Sequence, residues 1–456
     1  MPFSKKTFTR RNRSKSWRDY QSSQPRYSSI SKQPKRNTLL RIIVAILVTL
    51  VILAFGFFTF NRSTSEPIHV TTSPVTTSSI RPIANQLDKS EVKQLLSERE
   101  FSHLNGKSIS LMDDGNIFHV ETTLNPDLQN YLLDTIDRVN SRYVGIVVME
   151  GSNGQVLALA GFDRTDSFSN PCLRSQFPAA SLFKIVTAAT AVDQCGYSAD
   201  SPMNYNGPKH TLYKRQLTDR VDRYTTTIPL REAFADSINP VFGKLGELHL
   251  RKPLLEQAAA TFGFNQPIDF DLDIPPSQFL INDTPYNWAE VASGFNLETT
   301  LSPLHGATLV TAILNGGRMV TPTIVETITD EQKNILYRRP ETTQFRQIMS
   351  ARAATVLSQM MESTIIDGTA RKTFRKYQSD KVLSRLQIGG KTGSIDSASH
   401  DVRFDWFIGF ARDRHSQKQL VVAVMVGHEK FIGIRASEYA RRAMTYYFGN
   451  PPEKGL

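Results

Sequence analysis

The residues best placed to do chemistry lie in Pro178-Ala179-Ala180-Ser181-Leu182-Phe183-Lys184, which opens an apolar run from Ile185 to Val192 with no charge before Asp193. A spacing of three puts Ser181 and Lys184 on one face of a helix, within reach of each other. Serine is a poor nucleophile until a base takes its proton. A lysine can be that base only when neutral, and burial beside an apolar helix favours the neutral form. The free N–H groups at the helix start would stabilise an oxyanion on an attacked carbonyl. The sequence thus predicts a buried helix with nucleophile, base and electrophilic support in its first turn.

Spacing alone does not establish this, because Ser-x-x-Lys occurs three times, at Ser29 to Lys32, Ser90 to Lys93 and Ser181 to Lys184. The first two lie in basic or charged stretches, where a lysine stays protonated. Two further motifs follow the third copy: Ser237-Ile238-Asn239, the only Ser-x-Asn, and Lys391-Thr392-Gly393-Ser394, which holds the only Lys-Thr-Gly. Read alone, Ser237 ahead of Asn239-Pro240 is a turn cap. Gly390-Lys391-Thr392 imitates the end of a phosphate loop, but the opening glycine that loop needs falls on Arg385.

In this order the three motifs resemble those of the penicillin-binding proteins and serine β-lactamases. Further segments are similar to the transpeptidase domain of that family: Val120 to Asn125, Gly154 to Ala158, Leu301 to Leu304, Asp367 to Ala370, Gln387 to Gly390 and Asp405 to Phe410. The resemblance spans residues 120 to 450. It implies an α+β fold in which an antiparallel β-sheet is flanked by helices, with an all-α subdomain beside it. Hydrophobic pattern and turn residues agree, predicting strands at Tyr143 to Glu150, Gln155 to Phe162, Phe404 to Phe410 and Gln419 to Val426, and a C-terminal helix from Ala436 to Phe448.

Carried over residue by residue, the resemblance makes Ser181 the nucleophile on a D-Ala-D-Ala stem peptide or a β-lactam, and Lys184 the acceptor of its proton. Ser237 relays protons toward the leaving group, and Asn239 holds Lys184 and the substrate amide. Lys391 keeps the site positive, Thr392 and Ser394 bind the substrate carboxylate, and Gly393 lies between them. The backbone N–H groups of Ser181 and Ser394 form the oxyanion hole. One departure is Ala179-Ala180, where the family often has Gly just before the nucleophile, which is expected to shift the turn presenting Ser181. Ser394 stands where Thr is frequent and keeps the hydroxyl.

The formal charge of +11 could suggest nucleic acid, but its distribution argues otherwise. Residues 1–38 hold eleven Lys or Arg and one Asp, so the rest of the chain is nearly neutral. A basic tail directly before an apolar run is the positive-inside pattern of a membrane protein. Ile42 to Phe60 carries no charge and as a helix spans about 28 Å, the thickness of a bilayer core. Phe57 to Asn61 lacks a small-residue cleavage pattern. The expected organisation is a disordered cytoplasmic tail (1–38), a transmembrane helix (39–60), a Ser/Thr/Pro-rich linker (61–86), a small membrane-proximal region (87–119) and the transpeptidase-like domain (120–450). This places a single-pass protein in the inner membrane with its catalytic domain in the periplasm.

Cys172 and Cys195 form a candidate disulfide bracing the Ser181 helix, since the chain between Cys172 and Ser181 is long enough to run back along it. The nine histidines lack ligand spacing, so no metal is expected, and no cofactor or nucleic-acid partner is implied. The main expectation is a DD-transpeptidase that crosslinks peptidoglycan stem peptides and is acylated by β-lactams, with strand polymerisation left to a glycosyltransferase partner. A DD-carboxypeptidase, a β-lactamase and a non-catalytic β-lactam sensor are the alternatives. The β-lactamase reading lacks a convincing Glu-x-x-x-Asn segment after Ser237 to activate the hydrolytic water.

Overall fold

The computed structural model describes residues 86–96 and 106–450. The expected tail and anchor, and all but the last residue of the expected linker, lie outside the described residues. Among the described residues no helix is long and apolar enough to cross a membrane.

In chain order the elements are α1 (Lys89–Leu95), β1 (Ser108–Asp113), β2 (Asn116–Thr122), α2 (Pro126–Asp134), β3 (Ser141–Glu150), β4 (Val156–Asp163), β5 (Phe177–Pro178) and α3 (Lys184–Cys195). There follow β6 (Pro202–Tyr205), β7 (Thr226–Pro229), α4 (Leu230–Ala235), α5 (Asn239–Lys244), α6 (Arg251–Thr261), α7 (Pro285–Ser293), β8 (Thr300–Leu301) and α8 (Pro303–Leu314). The last group is β9 (Arg318–Val320), β10 (Val325–Thr329), β11 (Ile335–Arg338), β12 (Phe345–Gln347), α9 (Ala351–Ile366), β13 (Leu386–Asp396), β14 (Arg403–Asp413), β15 (Gln419–His428) and α10 (Ala436–Gly449).

Local chemistry sets many of these boundaries. Asn125 and Ser302 cap α2 and α8 with their side chains, each followed by proline in the first turn, where its missing N–H costs nothing. Gly196 and Gly294 end α3 and α7 in the left-handed conformation. Asp88 and Glu91 form a capping box on α1.

The strands expected at both ends of the domain form one five-stranded antiparallel sheet, ordered β13-β14-β15-β3-β4. Side chains alternate across it. Val144, Ile146 and Val148 of β3 and Leu420, Val422 and Val424 of β15 join α2 and α10 in an outer core. Val147, Met149, Val421, Ala423 and Met425 join the larger inner core around α3, α8 and α9. The site lies on this inner side.

Two expectations need revision. The segment set apart as 87–119 is tied to the main domain, because β1 and β2 share a four-stranded sheet, β1-β2-β10-β11, with strands from residues 325–338. Leu87 N–H also donates to Leu336 O at 2.7 Å. β1 and β2 pair with each other across a tight turn, and it is the long-range pairing of β2 with β10 that joins them to the main domain. The cysteines are also not bridged: Cys172 and Cys195 are free thiols. Cys172 is buried, with its Sγ 3.5 Å from Ile146 O and 3.6 Å from Ala160 O in β3 and β4, while Cys195 is exposed at the end of α3. The segment after Cys172 follows the sheet into β5 and does not run back along the helix. Sufficient chain length permitted a bridge without directing one.

Candidate functional site

The helix that Ser181 opens begins more tightly than its spacing suggested. Ala180–Phe183 is a 3₁₀ turn and α3 follows it directly at Lys184. Residues three apart eclipse each other in a 3₁₀ turn, and Lys184 Nζ lies 2.8 Å from Ser181 Oγ. The turn is held from outside: Trp406 Nε1 donates to Pro178 O at 2.9 Å, and Ala179 N–H to Thr299 O at 2.8 Å. Ala180 sits at φ +48°, a region that disfavours residues with a Cβ. A Cβ on Gly294 would come within 1.9 Å of Ala180 O. Only glycine lets the end of α7 approach the turn this closely.

The second motif reaches the same point from α5. Asn239 Oδ1 accepts from Lys184 Nζ at 2.8 Å, and Asn239 Nδ2 donates to His210 O at 3.0 Å. Ser237, at φ +56°, has its Oγ 3.0 Å from Lys391 Nζ. Lys391 also donates to Thr392 O at 2.8 Å. Gly393 passes beside the nucleophile, where a Cβ would come within 3.4 Å of Ser181 N. Ser394 Oγ lies 3.2 Å from Arg403 Nη2 on β14. All three motifs therefore converge, with Ser181, Lys184 and Asn239 in one hydrogen-bonded chain and Ser237 with Lys391 in a second.

Both lysines are fully buried, at 0 % exposure. Burial, followed by the nearby charge of Lys391, holds Lys184 well below the ordinary lysine pKa. Burial also brings Lys391 down to about 7, with Asp236 opposing. The amines lie 5.5 Å above the Phe242 ring and 5.4 Å above the Phe234 ring, respectively, which partly compensates whatever charge they carry.

Lys184 Nζ has three partners: Asn239 Oδ1, the backbone oxygen of Ser293, and Ser181 Oγ. The first two can only accept. A neutral amine has two N–H donors and one lone pair, so its donors are spent on those oxygens and its lone pair faces the Ser181 hydroxyl. That is the protonation state and orientation a base needs.

The sequence reading missed Ser293, Gly294 and Arg403. Ser293 acts through a backbone oxygen and carries no side-chain signal. Gly294 stands out in sequence only as a helix terminator. Arg403 reaches Ser394 through strand pairing. Among the described residues no cluster of His, Cys, Asp or Glu could hold a metal ion.

The sequence model of the penicillin-binding protein transpeptidase domain matches residues 144–445. The chain is 24% identical over 345 residues to the stage V sporulation protein D of Bacillus subtilis, covering 68% of this chain and 50% of that protein. It is 23% identical over 354 residues to the peptidoglycan D,D-transpeptidase PbpA of Mycobacterium tuberculosis, covering 68% of each. The chain spans about half the length of the first of the curated relatives it matches. Among solved structures, PBPA from Mycobacterium tuberculosis aligns with a TM-score of 0.59 at 22% identity, covering 73% of this chain and 82% of that one. At that identity the likeness is one of fold.

Proposed function

Since the chain belongs to the penicillin-binding protein transpeptidase family, we propose that it is a DD-transpeptidase crosslinking peptidoglycan through an acyl-enzyme on Ser181, and that β-lactams acylate the same atom. Lys184 takes the Ser181 proton as Oγ attacks the carbonyl between the two D-alanines. The tetrahedral oxyanion is held by the N–H groups of Ser181 and Ser394. Collapse expels D-alanine, whose amine takes the proton that Lys184 removed from Ser181, passed on through Ser237, and Lys184 is neutral again. An amine of a second stem peptide then attacks the ester, giving up its proton to Lys184, which returns it to Ser181 Oγ as the ester breaks. Asn239 keeps Lys184 in place throughout and retains an N–H for the substrate amide. Lys391, Thr392 and Ser394 receive the terminal carboxylate, with Gly393 leaving room beside the nucleophile.

One observation carries this reading: fully buried Lys184 Nζ lies 2.8 Å from Ser181 Oγ, and its other two partners, Asn239 Oδ1 and Ser293 O, can only accept. A carboxypeptidase differs only in accepting water. A β-lactamase needs a base to activate that water quickly, and among the described residues no Asp or Glu hydrogen-bonds Ser181 or Lys184. The basic tail and the uncharged run Ile42 to Phe60 support an anchor in the inner membrane with the domain in the periplasm. The reaction acts on polymerised glycan strands, so a glycosyltransferase partner is part of the proposal.

The test is a time course with a fluorescent penicillin on the full-length chain beside Ser181→Ala. The expected result is a label that persists for many minutes on the parent and is absent from the variant. Rapid loss with drug turnover would favour a hydrolase. A folded parent that takes no label would remove the enzyme reading.

A further inference from the structure

Two hydroxyls of the third motif, Thr392 and Ser394, were assigned to the substrate carboxylate on the same footing, and their hydrogen bonds divide them. Thr369 Oγ lies 2.5 Å from Thr392 Oγ and 3.2 Å from Ala235 O. A backbone oxygen only accepts and a hydroxyl has one proton. Ala235 O already accepts from Thr369 N–H at 3.1 Å, so the short Thr369–Thr392 contact can run in either direction, and it ties the Thr392 hydroxyl into the protein. The direction at Ser394 is fixed. Its Oγ lies 3.2 Å from Arg403 Nη2, and a guanidinium only donates, so Ser394 accepts there and keeps its own proton. Ser394 is exposed and follows Gly393, which packs against Ser181 N.

Arg403 is fixed for this contact. It stands opposite Asp396 in the β13–β14 register, and its Nη1 donates to Asp396 Oδ1 at 3.1 Å while Nη2 reaches Ser394. Asp396 is buried, and the Arg403 side chain is only 28% exposed. One planar fork bridges Ser394 and Asp396, two positions apart on β13, and lysine cannot reproduce that geometry.

We infer that Arg403, clamped by Asp396, is a positioning residue that sets Ser394 as a hydroxyl donor to the substrate carboxylate. This rests on the acyl-enzyme reading above. Because Asp396 offsets the charge of Arg403, its contribution is directional, and keeping the charge is not enough to keep the effect.

The experiment compares acylation of the full-length chain by benzylpenicillin and by its methyl ester, which lacks the carboxylate charge. Arg403→Lys is expected to lower the second-order rate for the free acid about tenfold, the worth of one charge-assisted hydrogen bond. The loss should appear in the saturation constant and not in the limiting acylation rate, and the methyl ester should be unaffected. Ser394→Ala should show the same acid-only loss, and combining the two changes should add nothing. If Arg403→Lys does not fold, Asp396→Asn should give a smaller acid-only loss. Equal slowing of acid and ester, unchanged acid kinetics in a folded variant, or additive losses would each overturn the inference. A parent that takes no label at Ser181 overturns the acyl-enzyme reading instead, so the two failures are distinguishable.

Discussion

The two faces of the five-stranded sheet are built from the same strands and do opposite things. On the outer face, Leu386, Ile388, Phe407, Val422 and Val424 pack with Leu132, Tyr439, Ala443 and Met444 of α2 and α10. Each large side chain removed from water there stabilises the fold by roughly 1.5–3 kcal/mol. Farther along β13, Lys391 is equally buried on the inner face beside Lys184, Ser237 and Asn239. Those amines lose hydration without gaining a carboxylate partner, a cost the outer face does not carry. One face stabilises the domain, and the other uses part of that stability to keep Lys184 and Lys391 buried beside Ser181 and Ser237.

The sharpest test of the contrast is Lys184→Met, which keeps the volume and removes the base. Acylation by a fluorescent penicillin should fall by about 10²–10⁴-fold, the usual contribution of a positioned base, while circular dichroism stays that of the parent. Leu132→Ala on the outer face should do the reverse. Leu132 is fully buried, so stability should drop by about 2–5 kcal/mol, read by denaturant melting, while the protein remaining folded labels at the parental rate. If each change altered both readouts alike, the division between the faces would be wrong.

A smaller effect concerns pH. Lys391 titrates at about 7, so it is charged below that value and neutral above it. The second-order acylation rate by a carboxylate-bearing penicillin should fall as pH rises through about 7. Lys391→Gln should abolish this limb. It should also move the limb set by Lys184 to higher pH, because the charge of Lys391 helps to depress Lys184. The smallest expected effect is at Ala180, which holds φ +48° just before the nucleophile. Ala180→Gly relieves that strain and should raise stability by about 1 kcal/mol, measured as a shift in Tm. The labelling rate shows whether the strain also aims Ser181.

Much of this molecule was legible in its residues. The strands around Val147, Leu159, Ile408 and Val424 showed β-rich runs bounded by turn residues, and each forms where expected to within three residues. Ser181, Lys184 and the two later motifs were identifiable because side-chain chemistry is written at fixed positions. The Ala179-Ala180 departure was visible too, although its consequence, a left-handed residue beneath Gly294, was not. Pairing of β2 with a strand more than 200 residues later, and the separation of Cys172 from Cys195, left no local trace.

The sequence by itself determined the inventory: one Ser-x-x-Lys opening an apolar helix, one Ser-x-Asn, one Lys-Thr-Gly, and the alternation that builds a sheet. The tertiary structure decided what those groups are worth. Whether Lys184 is a base depends on its burial, on Lys391 and on the Ser293 backbone oxygen. Whether Ser394 can donate depends on an arginine that reaches it only through strand register. Identity is local, whereas proton affinity and hydrogen-bond direction are set by neighbours that the chain brings together only when it folds.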